Sequence, residues 1–207
     1  MEISYFGGNC LRLTTKKAQI VIDDNLGKLG LKAVTKTTDI SLRTHSGIPE
    51  VQAHFSTGMP GEYEVSGVSI HGIAARAHID KDEDRSAVIY TIAAEDIRIG
   101  ILGHIFPALS DAQIEEIGHV DVLVVPVGDS GYTLDGIGAL KVIKQIEPSV
   151  VIPTHYADKA IKYEVPQVEL AEGLKGLAME PSETLGKYKP KAGELTDTTK
   201  LIVLERQ

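Results

Sequence analysis

Residues 120–127 read Val-Asp-Val-Leu-Val-Val-Pro-Val, a nearly continuous apolar run. It is short for a core helix and has no polar face, so it predicts a strand covered on both sides. A strand of that kind belongs to a sheet with helices packed over it. The flanking residues agree. Ser110, with Gln113 three residues later, has the form of a capping box and opens a helix that ends near Gly118. Asp135 can cap a second helix, and Pro148 stops it. Its apolar positions Ile137, Leu140, Ile143 and Ile146 recur every three residues and predict one buried face. Val150 to Ile152 reads as another buried strand and Gln167 to Leu177 as a third helix. The stretch Glu180 to Lys200 reads as a loop, and Leu201 to Leu204 as a returning strand.

The first half reads as strands: Ile3 to Phe6, Cys10 to Thr14, Ala18 to Asp23, Asp39 to Leu42, one long strand over Glu62 to Ile73, then Ala87 to Ile92 and Ile97 to Leu102. Gly7-Gly8-Asn9, Lys16-Lys17 and Ala94-Glu95-Asp96 are turn material between them. A strand meander followed by βαβα units is an α/β protein, in which ligands sit at loops leaving strand ends. No linker or repeat interrupts the 207 residues, so a single domain over residues 1–207 is expected.

Composition excludes several functions. The net charge is −8 and no long basic run occurs, which disfavours nucleic acid and anionic membranes as partners. No apolar stretch approaches the ~20 residues of a membrane span. The start MEISYFGGN lacks the charged and apolar regions of a signal peptide, so a cytoplasmic location is expected. The one cysteine, Cys10, can form neither an internal disulfide nor a thiolate zinc knuckle, and its neighbours Leu11 and Leu13 predict an inert buried thiol.

Four of the seven histidines follow predicted strands closely: His45, His78, His104 and His155. Imidazoles are common zinc ligands, and four can complete a tetrahedron. Their spacing contains no H-x-H or H-E-x-x-H pair, so the pattern alone favours solvated loop histidines or hydrogen-bonded partners in turns over a metal site. His54, His71 and His119 read as lying outside any site.

The order of segments adds more. Ile3 to Cys10 with Ile20 to Asp23, Gly61-Glu62-Tyr63-Glu64-Val65 with Gly67-Val68, Ile99 to Gly103, Ile117 to Gly118, Val120 to Gly128, Tyr132-Thr133-Leu134-Asp135, and Val151-Ile152-Pro153-Thr154-His155-Tyr156 occur in this sequence. In that order they resemble the metallo-β-lactamase superfamily, in particular a branch of metal-dependent hydrolases related to the ascorbate-6-phosphate lactonases. The resemblance covers roughly residues 1 to 160. It implies a four-layer αβ/βα sandwich with one or two zinc ions at the edge of two sheets. Its H-x-H-x-D-H motif falls on His45-Ser46-Gly47-Ile48-Pro49-Glu50, where only His45 is retained. Gly47 has no side chain to ligate with, Pro49 stands for the aspartate, and Glu50 for the last histidine. The bridging aspartate falls on His104, and the final histidine on His155. The next family histidine aligns loosely with His78, and Asp23 falls where the family has an aspartate that supports the site from behind.

Two metals at close range need anionic ligands between them, and this chain lacks the bridge. The expectation is therefore a metal-dependent hydrolase acting on a small molecule, with one zinc held by His45, His78, His104 and His155. Glu50 or Asp129 would serve as the catalytic group. The alternative is a family member without catalysis, keeping the fold as a binding or interaction module.

Overall fold

The computed structural model describes residues 1–207. Strands β1 (Glu2–Gly7), β2 (Cys10–Thr14), β3 (Gln19–Ile22), β4 (Ile40–Leu42) and β5 (Phe55–Thr57) form one sheet in that order. The first three are antiparallel, and β4 and β5 continue parallel to β3. Then follow β6 (Gly61–Val65), β7 (Val68–Ala75), β8 (Ala87–Ala94), β9 (Ile97–Ile101), α1 (Asp111–Ile117), β10 (Val122–Pro126), α2 (Gly136–Ile146), β11 (Val150–Thr154), α3 (Leu170–Leu177), β12 (Pro181–Leu185) and β13 (Lys200–Leu204). These strands make an eight-stranded sheet in the order β12-β13-β11-β10-β9-β8-β7-β6. Its half from β6 to β9 is an antiparallel meander, and β9, β10, β11, β13 and β12 run parallel.

Alternation along the strands builds two cores. Val122 and Val124 of β10 face the small sheet and pack with Leu11, Leu13, Ile20, Ile22 and Leu42. Leu123 and Val125 face the other way, against Ile117, Ala139, Val142, Ile143 and Leu177 of the three helices. This two-sided burial is why β10 reads as an unbroken apolar run. The outer face of the small sheet carries Cys10 and Val21, covered by Leu26, Leu31 and Val34 from the irregular segment after β3 rather than by a helix. Asp24 pins that segment by accepting from the backbone of Val34 and Thr35 and from the Thr35 hydroxyl. Cys10 is buried and unpaired, and burial pushes its thiol pKa up, as an inert core thiol requires.

Three local expectations change. The strand over Glu62 to Ile73 is a hairpin, broken at Ser66 and Gly67, both with positive φ. The region 180–200 contains β12, an edge strand of mostly exposed polar residues that has no apolar signature. Ile137 is 70% exposed. Ile137 and Ile146 are nine residues apart, about two and a half helical turns, so they point to opposite sides of α2. The buried face is Ala139, Val142, Ile143 and Ile146.

Candidate functional site at the strand ends

The C-terminal ends of β3, β4, β9 and β11 meet at one edge of the sandwich. The two sheets are tied there by Val88 N–H to the Thr44 carbonyl and Ser46 N–H to the Ser86 carbonyl. Each strand delivers one polar residue just past its end: Asp23 after β3, His45 after β4, His104 after β9 and His155 after β11. His155 has φ 56°, the left-handed region that a non-glycine residue enters at a cost. Its N–H donates to the Gly8 carbonyl at 2.8 Å, which holds the turn.

Three of the four expected histidines come together. The His104 ring centre lies 5.7 Å from that of His45 and 5.1 Å from that of His155. Tyr132 closes the group, 5.0 Å from His104 and 5.9 Å from His155. His78 stands apart: its N–H donates to the His104 carbonyl, but its ring packs on Phe106. Glu50 and Asp129 stand apart too. The Glu50 side chain is 65% exposed and lies 3.7 Å from Arg43. Asp129 lines a different pocket, with Asp135, Gly136 and Glu172, because the backbone reverses through positive φ at Asp129 and Ser130. His54 is exposed, His71 lies 4.0 Å from Glu116 and His119 lies 3.2 Å from Asp121, all remote from the three rings.

A buried polar network lies behind the histidines. Asp23 accepts from the Thr44 N–H at 2.7 Å, the Thr44 hydroxyl at 2.6 Å and the Asn9 amide at 3.1 Å. Asn9 in turn accepts from the Thr154 hydroxyl at 2.6 Å. Thr44 and Thr154 immediately precede His45 and His155, so the network couples two of the ring-bearing turns. The third turn fits against it through Gly103, whose φ is +62° and where a Cβ would overlap the Thr44 side chain. Burial raises the Asp23 carboxyl pKa to about 6, against the opposing pull of its hydrogen bonds from Thr44 and Asn9.

The imidazoles are electrically quiet. Desolvation lowers the His155 pKa to about 4 and drives His104 well below its ordinary value, helped there by His155 and His45. His45 is also lowered by burial, with Asp80 opposing. All three are neutral near pH 7, the state that can ligate a metal. His155 Nδ1 lies 3.0 Å from Gln167 Oε1, and His45 Nδ1 accepts from the Gly47 N–H at 3.0 Å. His104 is buried, and neither of its ring nitrogens has a hydrogen-bond partner. Such a group costs about 1–3 kcal/mol unless something binds it.

The donors gathered here are all imidazoles. No carboxylate stands among the rings to bridge a pair. Two imidazoles on one tetrahedral zinc, bound at ~2.0–2.1 Å, have ring centres roughly 5 Å apart, close to the spacings seen. No three His, Cys, Asp or Glu side chains already converge in metal-binding geometry, so ligation requires rotation of the rings. Beside them opens a small cleft lined by His155, Tyr132, Tyr163, Ile48, Lys28 and Glu164, among others. Gln167, Tyr163 and Asn9 carry no sequence signal as site residues. They reach it from segments brought together only by the fold.

No helix is long and apolar enough to cross a membrane. A β-lactamase superfamily domain model matches residues 2–155. A crystal structure of a candidate Zn-dependent hydrolase of the metallo-β-lactamase superfamily from Thermotoga maritima is 27% identical with a TM-score of 0.75, covering 99% of this chain and 98% of that one. A UPF0173 metal-dependent hydrolase from Archaeoglobus fulgidus is 25% identical over 105 residues, which span 47% of this chain and 45% of that protein. A metal-dependent hydrolase candidate from Parabacteroides distasonis shares the fold at 15% identity, with a TM-score of 0.67 and coverage of 99% and 93%. The two-sheet sandwich, the strand-end site and the match over three-quarters of the length together place this chain in the β-lactamase superfamily domain family.

Proposed function

We propose that this chain is a metal-dependent hydrolase with a single-metal centre held by His45, His104 and His155, and that the ion is zinc, for which three imidazoles and an open position are an established ligand set. The observation that carries the reading is His104: a fully buried imidazole with both nitrogens unpartnered stands where the resemblance expects the bridging ligand. A bound ion would supply Lewis acidity, activating water and polarising a carbonyl or phosphoryl oxygen. The chain's own residues do the rest. Asp23 and Asn9 hold the ring-bearing turns in place. Tyr132 and Tyr163 wall the rings from bulk water. Glu164 is the one carboxylate lining the cleft, and so the group able to take a proton from a small-molecule substrate there.

The second reading, a binding module without catalysis, is favoured by a different observation. The Gly47 N–H occupies His45 Nδ1, and Gly47 and Pro49 stand where the resemblance places two metal-binding side chains.

Metal content of the purified protein by elemental analysis, beside His104→Ala and His155→Ala, separates the two. About one zinc per chain, lost in both variants, is the expected result. No bound metal after zinc loading at mildly alkaline pH overturns the hydrolase reading and leaves the binding module.

A further inference from the structure

Gln167 lies beyond the segment that the family model matches, in the stretch between β11 and α3. Its side-chain amide donates to the Val165 carbonyl at 3.0 Å. That bond assigns the amide's two ends: the NH2 group is used on Val165, and Oε1 is left facing His155 Nδ1 at 3.0 Å. An amide oxygen only accepts, so His155 must carry its proton on Nδ1. Its Nε2 then presents a lone pair and makes no bond to the protein. The approach is tight. Gly128 sits where a Cβ would overlap both Gln167 Oε1 and the His155 carbonyl, so a side chain at residue 128 and this contact exclude each other.

His45 is set the opposite way. A backbone N–H only donates, so His45 Nδ1 is the acceptor and its proton lies on Nε2. His104, with no partner on either nitrogen, is set by neither.

We infer that Gln167 is a positioning residue that fixes His155 as the ready ligand, with its lone pair on Nε2, while the Gly47 amide holds His45 in the opposite tautomer. A metal ion therefore engages His155 and His104 first, and His45 joins through Nδ1 only by releasing Gly47. This rests on the single-metal reading for its consequence, but the tautomers themselves are set without metal. Hydrogen bonds of the Gln167 kind, behind a ligating histidine, typically change metal affinity 10- to 100-fold when removed.

Long-range ¹H–¹⁵N correlation of the imidazoles at neutral pH, on the metal-free full chain, reads the tautomers directly. The expected spectrum has His155 protonated on Nδ1 and His45 on Nε2. Gln167→Leu should remove the preference at His155 and weaken zinc binding by about 10- to 100-fold. Gln167→Glu, whose carboxylate also accepts, should restore both. Unchanged resonances of His54, His71 and His119 report an intact fold in the variants. Titration of the wild type with zinc chloride should also shift the Gly47 amide. His155 protonated on Nε2, or a His155 tautomer unmoved by Gln167→Leu, overturns the inference. Absence of zinc binding with the tautomers as described would instead overturn the single-metal reading.

Discussion

The ring of His155 meets that of His104 edge-on, 5.1 Å between centres at 84°. One of the two rings is anchored by Gln167 and the other by nothing. An unanchored, buried imidazole is a cost in the metal-free protein. His104→Leu should therefore leave the metal-free chain as stable as wild type or up to about 2 kcal/mol more stable, since a buried unsatisfied group is removed. The same variant should lose zinc. Urea unfolding with and without zinc checks both. A loss of more than about 2 kcal/mol without metal would mean that the ring has partners in solution.

Acid should destabilise the protein through its histidines. The folded-state pKa of His155 is lowered from 6.5 to about 4, so between those values the unfolded chain takes up a proton that the folded chain refuses. Stability is full above about pH 6.5 and falls as pH drops toward 4. Asp23 has the opposite sign. Its folded pKa is raised from 3.8 to about 6, so its contribution is fully present below about pH 4 and lost as pH rises through 6. In denaturation midpoints measured across pH 4–7.5, His155→Gln should flatten the acid decline and Asp23→Asn should steepen it. Profiles parallel to wild type would contradict the assignment.

The Thr44 hydroxyl bonds Asp23 at 2.6 Å in a buried setting. Thr44→Val keeps the shape and deletes that bond, leaving the carboxylate less satisfied. The expected cost is about 1–3 kcal/mol, seen as a lowered Tm by calorimetry. Thr198→Val, on an exposed loop, should fall within about 0.5 kcal/mol of wild type. Equal effects at the two positions would remove the network from the account.

Gly128→Ala should be costly in a way ordinary loop glycines are not. Its Cβ would run into the His155 carbonyl and Gln167 Oε1, whereas nothing lies near Gly193. A cost of about 1–3 kcal/mol or more is expected at residue 128 from overpacking, against little change for Gly193→Ala. Thermal unfolding of the pair decides the matter, and a Gly128→Ala protein as stable as wild type would show that the His155 turn can yield.

Much of this was determined by the sequence alone. The apolar run at Val120 to Val127 specifies a strand buried on two faces, and Ser110 with Gln113 forms the capping box it spells. The strand ends carrying His45, His104 and His155 were legible because strand, turn and imidazole are neighbours in the chain. Tertiary structure decided which of these ends converge. His78 follows its strand closely, as His104 does, yet it turns to Phe106. Glu50 and Asp129 are the right chemical types but lie on turns that face elsewhere. Asn9 and Thr154, which bond across 145 residues, and Gln167, which sets the His155 proton, had no local mark at all. The reason is physical. Propensity, capping and alternation act over a few residues and decide what an element is. Strand order and register act across the whole chain, and they alone decide which loops share an edge and which side chains meet there.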